Sequence, residues 1–334
     1  MARPVAIVTG GAGFIGSHMV DLLLESGFAV RVIDNLSGGR RSNLARHKDD
    51  AALTCYWQDI LALEPGTPVF EGAGYVFHFA GIGDIVPSIE RPIEYMSVNV
   101  QGTVRVLECA RAAGVEKVVY ASSSSCYGLA ATPTDETHPI APRYPYALSK
   151  YQGEEAVFHW HEVYGLPVNA VCIFNAYGPR VRTTGAYGAV FGVFLRQKLA
   201  GKPFTVVGDG TQRRDFVYVT DVASAFLAAA RTRLCGERFN VGAGDPQSIN
   251  RLVSLLGGEV IHVPKRPGEP ECTFANIGKI TSQLGWRPVV SFADGVRRML
   301  ADIDRWYDAP LWDPQSIAQA TESWFRYLGK DRVH

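Results

Sequence analysis

The stretch "VTGGAGFIG" at residues 8–16 constrains the fold of this 334-residue chain more than any other feature. It places Gly11, Gly13 and Gly16 in a Gly-x-Gly-x-x-Gly spacing, with Gly10 just before them, directly after an apolar run. A backbone that turns tightly, approaches a pyrophosphate and presents helix N–H groups to its charge needs glycines at these positions. The stretch therefore predicts the strand, phosphate-binding turn and helix of a dinucleotide-binding fold.

Asp34 indicates which dinucleotide this turn binds. It closes the second predicted strand, about 20 residues after the turn, where a carboxylate can accept a hydrogen bond from a ribose 2′-hydroxyl. A carboxylate repels the 2′-phosphate of NADP, and the next residue is Asn35 rather than an arginine, so we predict NAD. Arg40 and Arg41 follow closely and keep NADP open as an alternative.

Apolar runs rich in Val, Ile and Phe alternate with amphipathic stretches through the first half of the chain. Nearly continuous apolar strands are typical of a parallel sheet covered by helices on both faces. We therefore predict an α/β, doubly wound parallel sheet of the Rossmann type over residues 1–177. Its strands are expected at 5–10, 29–34, 53–58, 75–81, 117–122 and 168–175, and its helices at about 14–26, 92–113 and 145–164.

After Pro179 the pattern changes to short elements with several Gly and Pro turns. This predicts a smaller mixed α/β substrate lobe over residues 178–334, with some segments returning to the first domain. A helix is expected at about 220–232, and the Gly/Thr loop at 182–192 is expected to line the substrate pocket. The last stretch is predicted to be one helix that begins at Pro314 and packs its aromatic side chains in the core.

The overall charge excludes some classes of partner. Lys plus Arg and Asp plus Glu number 33 each, so nothing favours nucleic acid or an anionic membrane.

The six cysteines form no Cys-x-x-Cys pair or Cys/His cluster, and we interpret them as thiols in a reducing cytosol, with no metal site. No signal-peptide pattern and no apolar run of about 20 residues is present, so a cytoplasmic location is predicted.

A tyrosine and a lysine in "YPYALSK" (144–150) indicate proton-transfer chemistry. Tyr146 and Lys150 are four residues apart, on one face of a predicted helix. Free tyrosine has a pKa of about 10, and a nearby cation would stabilise its phenolate. The serine run 122–125 ends a predicted strand, at the edge of the sheet where open α/β folds bind their ligands.

Several motifs in order give the chain a specific resemblance. It resembles the extended short-chain dehydrogenase/reductase family, in the group of nucleotide-sugar epimerases and dehydratases. The match extends to about Trp286. It is carried by "VTGGAGFIG", "HFAG", "NVQGT", "ASSSSCYG", "YPYALSK", "FNAYGPR", "GDGTQRRDFVYV" and "RPGEPE".

The resemblance implies a catalytic triad. In that family the catalytic Ser or Thr lies four residues before the tyrosine of the strand-end Tyr-Gly pair, which selects Ser123 to act with Tyr146 and Lys150. Family dehydratases carry Asp-Glu at the next two positions, and decarboxylases carry Glu at the second. Ser124 and Ser125 occupy those positions here, which disfavours elimination.

In the implied mechanism, Tyr146 takes the proton of the sugar 4-hydroxyl while a hydride passes from C4 to NAD. Ser123 hydrogen-bonds the reacting oxygen, and Lys150 holds the nicotinamide ribose and favours the phenolate. The 4-keto sugar then presents its other face and recovers the hydride.

Further positions are implied only by the resemblance. Those expected to contact NAD, besides Gly10, Gly13, Gly16, Asp34, Asn35, Tyr146 and Lys150, are Phe14, Ile15, Asp59, Ile60, Phe79, Ala80 and Asn99. Those expected to contact the sugar nucleotide, besides Ser123, are Asn175, Arg214, Arg266 and Glu269. His78 and Arg213 are interpreted as a packed core residue and an exposed strand charge. Cys172 stands where the family usually has arginine.

The leading hypothesis is an NAD-dependent nucleotide-sugar 4-epimerase. A nucleotide-sugar C4 dehydrogenase, a 4,6-dehydratase and a non-catalytic NAD-sensing scaffold remain alternatives. The resemblance also implies a homodimer that pairs through two helices of each subunit, one of which carries Tyr146 and Lys150. The sequence selects neither the nucleotide nor the sugar.

Overall fold

The computed structural model describes residues 3–181 and 190–329. Strands form where the apolar runs predict them. In this part of the chain they are β1 (Val5–Thr9), β2 (Ala29–Ile33), β3 (Leu53–Tyr56), β4 (Tyr75–His78), β5 (Lys117–Ser123), β6 (Val168–Ile173), β7 (Asn175–Tyr177), β8 (Phe204–Val207), β9 (Arg213–Arg214), β10 (Phe216–Tyr218), β11 (Glu237–Val241), β12 (Gln247–Ser248) and β13 (Val260–Val263).

The helices follow the amphipathic stretches. They are α1 (Phe14–Glu25), α2 (Ile85–Glu90), α3 (Pro92–Met96), α4 (Gly102–Ala113), α5 (Pro145–Tyr164), α6 (Val190–Leu199), α7 (Val219–Arg231), α8 (Ile249–Leu256), α9 (Gly278–Leu284), α10 (Phe292–Ala301), α11 (Pro314–Ala320) and α12 (Glu322–Leu328). A π-helical turn at Ser97–Gln101 joins α3 to α4. None of the helices in the described residues is both long and apolar enough to cross a membrane.

Seven parallel strands form the main sheet in the order β11-β6-β5-β4-β1-β2-β3. The chain runs outward from β1 to β3 and then resumes on the other side of β1 with β4. The strand order therefore reverses between β1 and β4, and ligands bind at the carboxyl ends of the strands beside such a reversal. The prediction of a doubly wound Rossmann sheet is confirmed.

Alternate residues of the strands face two separate hydrophobic layers. In β1, Ala6 and Val8 pack with Met19 of α1 and Phe226 of α7. Ile7, between them, belongs to the opposite cluster, with residues of α4 and α5. This period of two is the reason that an almost continuous apolar strand is buried on both faces.

The second half of the chain contributes to both parts of the molecule. Its strands β8 and β13 pair in parallel, and a third hydrophobic cluster there includes Phe191, Phe194 and Trp306. In contrast, β11 joins the main sheet beside β6, and α7 packs on that sheet with α1. The position of a domain boundary between residues 177 and 178 stays a prediction.

The prediction of one C-terminal helix packed in the core is wrong. The chain forms α11, which begins at Pro314 as expected, and then α12, with Thr321 between them at φ −107° and ψ 7°. The Thr321 hydroxyl donates to the carbonyl of Ile317 at 2.8 Å, at the end of α11. Trp324 of α12 is buried, whereas Phe325 and Tyr327 are exposed.

Candidate active site

The glycine turn between β1 and α1 requires residues without a side chain. Gly10 has φ +69°, and a Cβ atom there would lie 2.7 Å from the backbone nitrogen of Ala80. Gly13 is the N-cap of α1, and no side chain caps the first N–H groups of that helix. Such N–H groups at a helix start are donors for a phosphate.

Asp34, just beyond β2, holds this turn in place. Its side chain is only 7% exposed, and its two oxygens accept hydrogen bonds from the backbone N–H of Ala12 at 2.9 Å and of Leu36 at 2.7 Å. Burial raises the pKa of Asp34, and these two hydrogen bonds lower it. A carboxylate has about four acceptor positions, so Asp34 can accept from a ribose hydroxyl in addition.

The residues expected beside the adenine lie together next to Asp34. The Asn35 amide donates to an Asp59 oxygen at 2.8 Å, and the other Asp59 oxygen accepts from the backbone N–H of Leu61. Ile60 is buried against Gly102.

Asn99 fastens the loop that follows β4 to helix α5. Its buried side chain accepts from the backbone N–H of Ile82 at 2.8 Å and donates to the Ser149 hydroxyl at 2.9 Å. Phe79 and Ala80 open this loop, and the backbone N–H of Ala80 donates to the Thr9 hydroxyl at 3.2 Å. The expected dinucleotide path is therefore built from hydrogen-bonded backbone rather than from a free loop.

His78 is a buried side chain, as its place in an apolar strand predicts. Its ring nitrogens lie 2.6 Å from the Thr9 hydroxyl and 3.0 Å from the Thr103 hydroxyl. Burial lowers the pKa of His78 to about 3, so the ring is neutral near pH 7.

The end of β5 and the start of α5 bring Ser123 and Tyr146 together. Ser123 is the last residue of β5, and its hydroxyl lies beside the Tyr146 phenol, whose pKa it acts to lower. The Ser123 and Ser125 hydroxyl oxygens are 2.7 Å apart, and the backbone N–H of Ser125 donates to Ser123. Pro145 at the first position of α5 fixes the start of the helix that carries Tyr146.

Burial dominates the electrostatics of Tyr146 and Lys150. It raises the pKa of Tyr146 to about 12, an effect that the nearby Ser123 hydroxyl opposes. It lowers the pKa of Lys150 to about 8. The Lys150 ammonium lies 4.3 Å from the centre of the Tyr120 ring. In the protein without bound ligands, Tyr146 is therefore protonated near pH 7, and the expected help from Lys150 does not overcome burial.

One cavity of about 360 Å³ is lined both by Ser123 and by the residues predicted to contact the substrate. Arg214 is largely buried and pairs with Glu269 at 2.7 Å, while Asn175 accepts a hydrogen bond from Thr273 at 2.6 Å. The lining residues among those predicted are Ser123, Ser124, Ser125, Asn175, Arg214, Arg266 and Glu269.

Comparison with known proteins decides the family. The sequence model of the NAD dependent epimerase/dehydratase family matches residues 6–242. The chain belongs to this family. It is thus an NAD-dependent enzyme. Its glycine-rich motif and its Tyr-x-x-x-Lys motif both lie within the matched range.

Relatives of this family member align over most of their length. UDP-glucose 4-epimerase of Mycolicibacterium smegmatis is 37% identical over 305 residues, which is 87% of this chain and 96% of the relative. A putative UDP-glucose 4-epimerase of Methanocaldococcus jannaschii is 36% identical over 302 residues, 88% of this chain and 96% of the relative. The structure of UDP-glucuronic acid 4-epimerase from Bacillus cereus with UDP-glucuronic acid and NAD has a TM-score of 0.85 and 30% identity, covering 91% of this chain and all of that one.

The cavity of this epimerase/dehydratase family member also contains residues that sequence reasoning missed. Asp84, at φ +76°, and Arg143 with Tyr144 lie on loops next to recognised motifs, which is a signal that could have identified them. Thr321 and Trp324 come from the C-terminal segment, and only the fold brings them to the cavity. Residues 182–189, most of the loop predicted to line the pocket, lie outside the described residues.

Two further expectations concern single side chains. Arg213 is exposed, as predicted, and donates to the carbonyl of Pro246 at 2.7 Å. Cys172 is buried in a small cluster with Tyr127 and Phe174. At this position, where the family usually has arginine, the enzyme has an apolar contact inside the fold.

Proposed function

We propose that this enzyme is an NAD-dependent nucleotide-sugar 4-epimerase that removes and returns a hydride at C4 through a 4-keto sugar. The observation that carries the proposal is the contact of Ser123 with Tyr146 at the wall of the cavity, with serines at the two following positions. UDP-hexoses and UDP-hexuronic acids are the first candidate substrates, because the relatives' names specify them.

The chain's own groups manage the proton of the sugar 4-hydroxyl. Ser123 holds the oxygen by a hydrogen bond, and Tyr146 takes the proton and later returns it. NAD, when bound, supplies a reversible acceptor for the hydride. Lys150, one turn after Tyr146 on α5, holds the nicotinamide ribose, as the family resemblance implies.

Inversion at C4 also places a demand on the cavity. The keto sugar must expose its opposite face to the same groups, so the nucleotide end must be held more firmly than the sugar. Arg214, Arg266 and Asn175 provide hydrogen-bond donors suited to a diphosphate. The wall at Ser123 to Ser125 offers only small hydroxyl groups, which leaves room for the sugar to turn.

Elimination requires ionisable groups that this wall does not provide. A 4,6-dehydratase needs one group to take the proton at C5 and another to protonate the leaving hydroxyl. Ser124 and Ser125 cannot do this near pH 7. Among the described lining residues, the carboxylates are Glu269, which is paired with Arg214, and Asp84, on the loop after β4.

Turnover of a sugar-nucleotide panel tests the proposal. Wild-type protein is incubated with UDP-glucose, UDP-glucuronic acid, UDP-N-acetylglucosamine and dTDP-glucose, and the products are separated by chromatography. A 4-epimer is expected from at least one sugar, and Tyr146→Phe should lower kcat by about 10² to 10⁴ with NAD still bound. Formation of a 6-deoxy-4-keto product that Asp84→Asn abolishes would establish the dehydratase alternative instead.

We also propose that the enzyme is a cytoplasmic homodimer. Support comes from the six cysteines, which form no disulfide, and from exposed apolar side chains at the end of α5, Val163 at 54% and Tyr164 at 52%. Sedimentation should give the mass of a dimer, and Val163→Glu should shift it toward the monomer. A wild-type monomer at micromolar concentration would contradict the homodimer.

A further inference from the structure

Trp324, in the middle of α12, connects the C-terminal segment to the substrate cavity. Its side chain is 5% exposed, and its indole N–H donates to the carbonyl oxygen of Pro267 at 2.8 Å. The guanidinium carbon of Arg266 lies 5.6 Å from the centre of its ring system, within the range of a cation–π contact. The Tyr144 ring lies on it as well, at 6.4 Å between centroids.

A second contact joins α12 to helix α2, which lies much earlier in the sequence. The Ser323 hydroxyl donates to a Glu90 carboxylate oxygen at 2.9 Å, at the end of α2. The first residues of α2 line the same cavity, as do Arg266 and Gly268. Helix α12 therefore bridges two cavity-lining segments that are far apart in the sequence.

We propose that α12 forms a wall of the substrate cavity and that Trp324 is a positioning residue, which holds Arg266 in place for the nucleoside diphosphate of the substrate. The inference rests on the proposed function and goes beyond it, because it assigns a role to a segment that follows the matched motifs.

The physical reason is the flexibility of an arginine side chain. An arginine side chain loses rotamer freedom when a ligand fixes it. The indole of Trp324 restricts the guanidinium of Arg266 before the diphosphate binds, so less ordering remains to be done on binding. The reacting groups stand on β5 and α5, so the loss of Trp324 should weaken binding more than it slows the chemistry.

The test compares three variants of the NAD-loaded enzyme. The probe is the nucleoside diphosphate alone: UDP, dTDP, GDP and CDP are titrated calorimetrically, and the one that binds the wild type most tightly is used. Trp324→Ala is expected to raise its Kd about tenfold, and Trp324→Phe, which keeps a ring but loses the indole N–H, about threefold. Tyr327→Ala, on the same helix but 54% exposed, is the matched control and should leave Kd unchanged.

Kinetics and a double mutant separate positioning from a merely structural role. For a sugar that the wild type epimerises, Trp324→Ala should raise KM in parallel with Kd and change kcat by less than about twofold. In an enzyme that already carries Arg266→Gln, Trp324→Phe should not raise Kd further, because its effect acts through Arg266.

Other results would overturn the inference. Unchanged Kd and KM in a Trp324→Ala enzyme with a lower Tm would assign Trp324 to packing alone. The same conclusion would follow if the effects of Trp324→Phe and Arg266→Gln on the binding free energy were fully additive. If Trp324→Ala does not fold, Trp324→Phe and the double mutant give the same decision. A wild type that binds a diphosphate but epimerises no sugar would overturn only the proposed function, whereas one that binds none of the four would overturn both.

Discussion

The hydroxyl of Ser123, at the end of β5, lies beside the phenol of Tyr146 in the first turn of α5 and opposes the rise in its pKa. The Ser123 hydroxyl also lies 2.7 Å from the Ser125 hydroxyl. Ser123 therefore stands between Ser125 and Tyr146. On this basis we predict that Ser123 is the serine of the run that takes part in the chemistry. Ser123 is the serine beside the phenol, whereas Ser125 contacts Ser123 and lies beside Tyr144.

A serine scan should reproduce that order. Ser123→Ala removes the hydroxyl beside the phenol, which we propose hydrogen-bonds the reacting oxygen, and kcat should fall by about 10²-fold or more. Ser125→Ala removes a neighbour of Ser123, and kcat should fall by less than about tenfold. Steady-state kinetics with the substrate found in the panel measures both. A larger loss for Ser125→Ala than for Ser123→Ala would reverse the assignment.

Lys150→Met should stabilise the NAD-free protein near pH 7. Burial lowers the pKa of Lys150 from 10.5 to about 8, so holding its charge inside the fold costs up to about 3 kcal/mol. Methionine is similar in length to lysine and carries no charge, although it gives up the ammonium contact with the Tyr120 ring. Urea unfolding at several pH values measures the difference.

The stability gained by Lys150→Met should decrease as the pH rises. Below about pH 8, lysine is charged in the folded and the unfolded state, and the full cost is present. Between about 8 and 10.5 only the unfolded state binds the proton, so wild-type stability rises with pH and the advantage of methionine shrinks. Lys48→Met, at an exposed lysine, is the control and should show no such trend. An advantage of Lys150→Met that stays constant from pH 7 to 10.5 would contradict burial as its cause.

Gly10→Ala should abolish NAD binding. Its φ of +69° is strained for alanine, and the new Cβ would lie 2.7 Å from the Ala80 nitrogen, so the phosphate-binding turn must move. Gly27→Ala is a matched control, because Gly27 also has a positive φ, +84°, but has nothing within 4 Å of an added Cβ. It should cost about 1 kcal/mol of stability and leave bound NAD unchanged, which absorbance of the purified proteins reports. Equal NAD content in the two variants would refute the close approach.

Asp34→Asn should weaken NAD binding about tenfold and reduce the preference for NAD over NADP. The amide loses the negative charge that repels a 2′-phosphate, and it retains one oxygen for the Ala12 or the Leu36 N–H. Fluorescence titration with NADH and NADPH gives the two dissociation constants. An unchanged ratio between them would show that Asp34 does not select the cofactor.

Local sequence patterns predicted the main sheet well. The strands and helices around Gly10, Asp34, Ser123 and Tyr146 begin and end close to where apolar periodicity and helix-start residues place them. These elements lie next to one another in the sequence, and burial on both faces of a parallel sheet leaves a clear pattern. The site residues on their ends follow from the topology, since the carboxyl ends of β1, β4 and β5 share one edge.

Contacts that depend on distant segments leave no comparable pattern in the sequence. The prediction for the C-terminus missed both the break at Thr321 and the place of Trp324, because the hydrogen bond from Trp324 to Pro267 joins residues that are far apart in the chain. We also expected, from the sequence, that Lys150 would favour the Tyr146 phenolate. The spacing of the two residues is local, but their pKa values depend on burial by the whole fold.

Proton NMR of the enzyme with its substrate in D2O tests the central claim most directly. A hydride that leaves C4 and returns to it does not exchange with solvent, so we predict a product inverted at C4 that contains no deuterium. Deuterium at C5 in a 6-deoxy-4-keto product, or a keto sugar released with one NADH for each molecule formed, would contradict the epimerase and identify a dehydratase or a dehydrogenase.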